Sequence, residues 1–315
     1  MNKLQFDVVA LGEAMVEFNQ SDPSAPRQFL QGFGGDTSNA IVAAARQGAR
    51  TAYITRLGDD AFGKMLLALW HEEGVSTEGV AIDPGASTGL YVVTHGDKGH
   101  EFSYARAGSA ASRMQPEQLP LSIIRSARFV HVSGISQAIS PSATDTVRAA
   151  IECARAAQVQ VAYDPNVRLR LWSADRAKAV VTATLPLCNW FLPSLEDVQW
   201  LSGLTEPSAL LDWCHAHGAP QVLLKMGGDG VWLSVAGGQR QHWPAHPVKV
   251  VDATGAGDCF DGAFLARLAQ GDAVEQALVY ANAAAALTTQ GFGAVAPLPT
   301  PPAVRALLAK AAGHA

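Results

Sequence analysis

The chain has 315 residues, 48% of them hydrophobic and 16% charged, which is typical of a folded globular protein and excludes a largely disordered one. Its 23 Lys and Arg residues against 28 Asp and Glu residues give a net charge of −5, and no basic run marks a nucleic-acid surface. The four cysteines form no C-x-x-C pair, so we expect neither a disulfide framework nor a zinc site.

The N-terminal segment runs almost directly into a predicted strand and lacks the apolar region of a signal peptide. No stretch approaches the roughly 20 apolar residues that a membrane-spanning helix needs. We therefore expect a cytoplasmic protein. The length and the pattern described next are compatible with one α/β domain over residues 1–315.

Short apolar runs alternate with helical patterns along most of the chain. The predicted strands are Val8–Leu11, Thr51–Thr55, Phe129–Val132, Val159–Tyr163, Asn189–Leu192 and Val222–Leu224. Two early helices are predicted to end at glycines, one from Ser38 to Gln47 before Gly48 and one from the cap at Asp60 to Glu73. Strands that alternate with helices of this length indicate βαβ units and a mainly parallel sheet.

Two segments interrupt this alternation. Residues 14–33 contain two short strand-like pieces around a polar turn, and residues 89–106 are typical of a β-hairpin. Antiparallel strands inserted early in an α/β chain favour a small second sheet beside the main one. The pattern alone leaves open whether this sheet is a lid over a cleft or an edge decoration.

A glycine-containing turn precedes an apolar helix near residue 258. Residues 250–258 read Val-Val-Asp-Ala-Thr-Gly-Ala-Gly-Asp, and Asp258 falls in the first helical turn. A dinucleotide fingerprint is excluded because Phe260 stands where its third glycine would be, and the chain has no P-loop. Two interpretations remain open: a helix cap on a tight turn, or a helix-start anion site with Asp258 as a general base beside it.

Two sequence blocks resemble the signatures of the ribokinase-like (PfkB) carbohydrate kinase family. The first comprises Gly34–Ala40 and Arg56–Gly63, and the second is Asp252–Asp258, in which Ala253 replaces the usual Thr. The resemblance covers nearly the whole chain. It implies a three-layer fold with a mainly parallel central sheet and a small β lid, for which the two irregular segments are the candidates.

The resemblance also implies the chemistry of the turn. Asp258 would be the catalytic base, and Gly255, Ala256 and Gly257 would form the anion hole. The implied reaction is direct in-line transfer of the γ-phosphate of ATP to a substrate hydroxyl, with Mg²⁺ bridging the phosphates.

The nucleotide side of the resemblance is less regular. Lys225–Gly230 is similar to the family's K-x-G-x-x-G loop, whereas Ser194 and Asp197 stand in place of its N-x-x-E element and make Asp197 the candidate metal ligand. The residues that the resemblance places at the nucleotide are Asn166, Ser194, Lys225, Gly227, Gly228, Gly230 and Asn282.

The lid segments are most similar to those of family members that phosphorylate 2-keto-3-deoxygluconate. By that resemblance the residues facing the substrate are Gly35, Tyr91, Tyr104, Arg106 and Arg168. Two guanidinium groups suit the carboxylate of a sugar acid, because their planar donor forks match carboxylate geometry. The alternatives are a fructokinase or another neutral-sugar kinase, and a sugar-binding sensor without catalysis. The resemblance further implies a homodimer formed through the lid.

Overall fold

The computed structural model describes residues 4–20, 27–96 and 99–312 of the chain. Within these ranges the chain forms thirteen strands. In chain order they are β1 (Phe6–Leu11), β2 (Met15–Asn19), β3 (Leu30–Gly34), β4 (Thr51–Gly58), β5 (Val75–Asp83), β6 (Gly89–Gly96), β7 (Gly99–Ala105), β8 (Ala127–Ser133), β9 (Gln160–Asp164), β10 (Trp190–Phe191), β11 (Gln221–Lys225), β12 (Val231–Val235) and β13 (Arg240–Trp243).

The helices of the described ranges connect these strands. They are α1 (Asp36–Arg46), α2 (Ala61–Glu72), α3 (Leu121–Arg125), α4 (Gly134–Ala138), α5 (Pro141–Ala156), α6 (Ala174–Thr184), α7 (Leu195–Ser202), α8 (Pro207–Ala216), α9 (Ala256–Ala269), α10 (Val274–Thr288) and α11 (Pro301–Ala312). The predicted signals at the ends of α2 are confirmed: the Asp60 side chain accepts the Gly63 N–H at 2.7 Å, and Gly74 takes a positive φ of 71° after the last turn.

The strands form a nine-stranded sheet in the order β13-β12-β11-β10-β9-β8-β1-β4-β5 and a four-stranded sheet in the order β3-β2-β6-β7. All neighbours in the large sheet are parallel except β11–β12 and β12–β13, so the predicted mainly parallel sheet is confirmed. In the small sheet β2 and β6 pair in parallel, and each also pairs with an antiparallel neighbour. We call this small sheet the lid.

The large sheet is buried on both faces. In β1, Val8 and Ala10 pack into one hydrophobic core, whereas Val9 and Leu11 pack into the other. This alternation follows from the two-residue period of a strand, and it explains why parallel strands read as continuous apolar runs. Helices α1, α9 and α10 cover the first core and α5, α6 and α7 cover the second, which gives three layers.

The described lid strands lie within the two segments that interrupt the sequence pattern; residues 21–26 and 97–98 of those segments are outside the described ranges. Two edge strands, β5 and β13, had no counterpart in the prediction. Both mix polar with apolar residues because each has a neighbour on one side only.

Among the described residues, no helix is long and apolar enough to cross a bilayer.

Candidate active site

The glycine turn opens helix α9, as the sequence predicted. Gly255 is its N-cap residue with φ 76°, and a Cβ atom there would lie 2.9 Å from the Ala294 backbone. Only glycine fits both the left-handed conformation and this close approach. The Asp252 carboxylate holds the turn in place, because it accepts the Thr254 N–H at 2.9 Å and the Gly293 N–H at 3.0 Å.

The first turn of α9 offers backbone N–H groups without intrahelical partners, which is the physical basis of an anion site. The Ala256 N–H donates to the Ala253 carbonyl at 3.2 Å. The amides of Gly257 and Asp258 are therefore the donors of this turn that helix geometry leaves for an anion.

Asp258 lies in this first turn and is partly buried. Its Oδ2 accepts the Asn39 amide from α1 at 2.8 Å. Burial raises the pKa of Asp258 to about 7, repulsion by Asp36 and Asp164 adds to the rise, and the Asn39 hydrogen bond and the Lys225 charge oppose it. A carboxyl group with a pKa near neutrality is suited to accept a proton during catalysis.

Lys225, at the end of β11, lies inside the molecule beside this turn. Its Nζ is 3.1 Å from Asp164 Oδ2 at the end of β9 and 3.0 Å from Asp261 Oδ1 on α9. Its Nζ also lies 3.5 Å from the position that a Cβ on Gly257 would occupy. The ammonium group is thus ion-paired and lies beside Gly257 of the predicted anion hole.

The lid presents polar side chains close to the same region. Tyr91 Oη donates to Glu17 Oε2 at 2.5 Å and lies so close to Gly34 that a Cβ there would be 2.3 Å away. The negative charge of Asp258 contributes to raising the pKa of Tyr91, which lies far above its ordinary value chiefly because of burial. Tyr91 on the lid strand β6 therefore lies within electrostatic range of Asp258 on α9.

Arg106 follows the last lid strand and is largely buried. Its Nη2 lies 2.5 Å from Glu13 Oε2, and the side chains are 11% and 1% exposed. Its guanidinium also lies over the Tyr104 ring, at 5.8 Å from the ring centroid. The Arg106 Nε atom is buried and makes no hydrogen bond within the described residues.

The comparisons with known proteins agree with this geometry. The model of the "pfkB family carbohydrate kinase" matches residues 5–301. The chain belongs to this family. It is 33% identical to fructokinase-2 of Solanum lycopersicum, with 93% of each chain covered, and 34% identical to the 2-dehydro-3-deoxygluconokinase of Thermoproteus tenax, with 96% of this chain and 94% of the relative covered.

Solved structures also match the fold of this pfkB-family chain over nearly its whole length. An E. coli protein described as a ribokinase II, in complex with ATP and Mg²⁺, superimposes with a TM-score of 0.88 at 26% identity, covering 96% of this chain and 99% of the other. The predicted ribokinase-like fold is confirmed.

The remaining predicted residues of this pfkB-family chain lie around the ends of β9, β10 and β11. Asn166 has a φ of 33° and donates its N–H to Asp164, and Ser194 caps α7 in a capping box with Asp197. Arg168 is exposed and donates to the Val167 carbonyl, and among the described contacts none joins it to Arg106. The pairing of two arginines around one carboxylate stays a prediction.

The candidate nucleotide loop joins β11 to β12. Gly227 and Gly230 take positive φ angles of 55° and 95°, and a Cβ on Gly230 would clash with the Trp243 carbonyl. Gly228 has open space around it, which leaves room for a ligand. Asn282 on α10 donates one of its two amide N–H groups to the Pro244 carbonyl at 2.8 Å.

Sequence reasoning did not select several polar residues of the site: Glu13, Asp36, Asn39, Asp164 and Asp261. A signal was available for Asp261, because it is a charged residue three positions after Asp258 within an otherwise apolar helix. Asn39 belongs to the first signature block but carries no local sign of its partner, which lies 219 residues away.

Proposed function

We propose that this chain transfers the γ-phosphate of ATP to the terminal hydroxyl of 2-keto-3-deoxygluconate. The phosphoryl-transfer part rests on Asp258, a partly buried carboxyl group with a pKa of about 7 at the start of α9. In this proposal Asp258 accepts the proton of the sugar hydroxyl while that oxygen attacks the γ-phosphate. The first-turn amides of α9 stabilise the charge that develops on the phosphoryl oxygens.

Mg²⁺ is part of this proposal, and the E. coli neighbour solved with ATP and Mg²⁺ supports it. Within the described residues no group of three or more acidic, His or Cys side chains could hold a metal alone. This fits Mg²⁺ in kinase sites, where one or two carboxylates and the phosphates bind it. Asp197 would hold it, since each of its oxygens accepts one backbone N–H and keeps a lone pair. Bound Mg²⁺ would neutralise phosphate charge.

The observation that carries the substrate proposal is Arg106. It is buried at the lid with an Nε donor that lacks a hydrogen bond within the described residues, and Tyr104 packs against it. A buried donor without a partner is costly, so a ligand oxygen that accepts from it gains affinity. A carboxylate satisfies a guanidinium fork with two parallel hydrogen bonds, and a sugar acid supplies one.

A neutral ketose such as fructose is the second candidate. Glu13 lies 2.5 Å from the Arg106 guanidinium and balances its charge, so the pocket need not require an anion. The fructokinase of Solanum lycopersicum, at 33% identity, favours the same candidate. Both candidates share the phosphoryl-transfer chemistry and differ only in what Arg106 binds.

The test is ADP release measured with 2-keto-3-deoxygluconate, fructose, ribose and adenosine side by side, for the wild type, Arg106→Ala and Arg106→Lys. If Arg106 binds a carboxylate, Arg106→Ala lowers kcat/KM for the acid by about one to two decades, because hydrogen bonds to charged groups contribute about 1.5–3 kcal/mol. Arg106→Lys does not restore it fully, because an ammonium lacks the two-pronged geometry. Equal small losses for acid and neutral sugars, or a wild-type preference for fructose, would reject the sugar-acid assignment.

The proposal includes a homodimer formed through the lid. Lid residues Leu30 and Tyr104 are 60% and 48% exposed, and β3 and β7 are unpaired edges of the small sheet. Exposed edges with apolar side chains are stabilised by pairing with another strand. Light scattering at micromolar concentration should give twice the chain mass, and a monomer would contradict the dimer. The cytoplasmic location stays a prediction.

A further inference from the structure

Lys225 connects three elements around the catalytic turn. Its ammonium group lies between Asp164, at the carboxyl end of β9, and Asp261, on the second turn of α9, while its own backbone ends β11. Asp164 and Asp261 are buried, with 7% and 0% of their side-chain surface exposed, and the Lys225 side chain is largely buried at 12%. The two partners lie 61 and 36 residues away in the sequence, so this contact fixes elements that the chain does not connect directly.

The donors of Lys225 are already used in this arrangement. The ammonium has three N–H groups, and its Nζ lies within 3.1 Å of Asp164 Oδ2 and of both Asp261 oxygens. To bind a phosphate directly, Lys225 would have to leave a buried carboxylate without its partner, which is unfavourable. The same Nζ lies beside Gly257, 3.5 Å from the position that a Cβ atom there would occupy.

We propose that Lys225 is a positioning residue for phosphoryl transfer: together with Asp164 and Asp261 it fixes the start of α9 against the sheet. This holds the Gly257 and Asp258 amides, and the Asp258 carboxylate, at fixed positions relative to the phosphate. The inference rests on the proposed kinase function. It assigns Lys225 a different role from the direct nucleotide contact that the loop motif predicted.

Lys225 also supplies positive charge to the base. Asp258 faces Asp36 from α1, Asp164 from β9, Lys225 from β11 and Tyr91 from the lid, with Cys259 beside it on α9. The two aspartates raise the pKa of Asp258 and Lys225 lowers it. Removal of the lysine charge therefore moves the pKa of Asp258 upward, and Arg at this position leaves the charge in place.

Three variants separate this role from its alternatives: Lys225→Met removes charge and contact, Lys225→Arg keeps only the charge, and Asp261→Asn removes one anchoring carboxylate. Lys64→Met is the matched control, because Lys64 is an exposed lysine 3.7 Å from Asp59. The measurements are kcat and KM for ATP with the best sugar, the pH profile of kcat, ATP affinity by calorimetry, and hydrogen exchange of the peptide covering residues 252–265.

We expect Lys225→Met to lower kcat by about 10- to 100-fold. This fall is smaller than the roughly 10²–10³-fold fall in kcat that follows removal of an anion-hole donor itself. The ATP affinity should stay within about threefold of wild type. The acid limb of its kcat profile moves to higher pH. In Lys225→Arg kcat falls while the acid limb stays in place. The double variant Lys225→Met/Asp261→Asn should show no lower kcat than Lys225→Met alone, because the two residues act as a unit.

Weakened ATP binding with unchanged kcat in Lys225→Met would show a direct nucleotide contact and overturn the proposal. A lower melting temperature with unchanged kcat and an unmoved acid limb would show a merely structural role and also overturn it. Hydrogen exchange decides independently of turnover: faster exchange at residues 252–265 supports the positioning role, and unchanged exchange refutes it. If the wild type phosphorylates no sugar, the kinase proposal fails. Hydrogen exchange of residues 252–265 still tests whether Lys225 fixes the start of α9.

Discussion

The pH dependence of catalysis follows from the environment of Asp258. Because its pKa is about 7 and the base must be ionised, kcat/KM should rise about tenfold per pH unit below pH 7 and level off above it. The profile of kcat/KM reports ionisation in the free enzyme. An ordinary aspartate with a pKa near 4 would give a flat profile from pH 5.5 upward.

Asn39→Ala changes this profile in a defined direction. Asn39 donates to the ionised form of Asp258 at 2.8 Å, and such bonds contribute about 1.5–3 kcal/mol. At 1.36 kcal/mol per pKa unit, its loss raises the pKa by about one to two units. The ionised fraction at pH 7 then falls from about one half to about 1–10%, so kcat/KM drops on the order of 5- to 50-fold at pH 7 and recovers at pH 9.

Asp36→Asn should move the pH profile in the direction opposite to Asn39→Ala. Asp36 repels the Asp258 charge, so its neutral isostere should move the acid limb to lower pH. The assay is coupled ADP release at saturating ATP between pH 5.5 and 9.5 for the three proteins. A loss in Asn39→Ala that is equal at every pH would mean that Asn39 only binds substrate. A flat wild-type profile would refute a base with a pKa of about 7, while Asp258→Asn tests the identity of the base itself.

Two further predictions concern the turn itself. Asp258→Asn should reduce turnover by about 10²–10⁴-fold while ATP affinity and the melting temperature stay near wild type, and more than about a tenth of the wild-type rate would contradict general base catalysis. Gly255→Ala should lower kcat by about 10²–10³-fold, because a Cβ at φ 76° and 2.9 Å from the Ala294 backbone displaces the anion-hole amides. Gly271→Ala is the control for this variant, because Gly271 also has a positive φ of 98° but has open space around it. An equal loss of kcat in both variants would contradict the steric argument.

Local patterns predicted the parts of the site that depend on neighbours in the sequence. The turn-helix order around Gly255 and Asp258, and the glycine that ends α2, are set by backbone conformation within a few residues, whereas the strand end expected just before the turn is absent, since residues 244–250 form no regular element. The lid strands were recognisable because their pattern differs from the βα alternation around them. Each of these features needs only short-range chemistry to be specified.

Contacts across the fold could not be predicted in the same way. The motif around Lys225 indicates a turn near a nucleotide, but its carboxylate partners are determined by the strand order β11-β10-β9 and by the packing of α9. The same holds for Arg106, whose charge suggested an open carboxylate site before the structure placed Glu13 against it. The sequence shows which groups a charged residue can bind, and only the fold shows which partner it already contacts.

The acidic residues around the turn at Gly255 disfavour the binding of phosphate, yet they contribute to the raised pKa of Asp258, the proposed base. Asp36 and Asp164 repel Asp258, and Asp164 also contributes to raising the pKa of Asp261, so the buried carboxyl groups oppose one another's ionisation. This repulsion lowers the stability of the fold, and Lys225 offsets only part of it. Burial is the main cause that moves the pKa of Asp258 from the range of an ordinary carboxylate, which is a weak base, to about 7, and this repulsion adds to the rise. Burial and repulsion are both unfavourable for an ionised carboxylate in the fold, and they are also what suits Asp258 to the proposed role of proton acceptor.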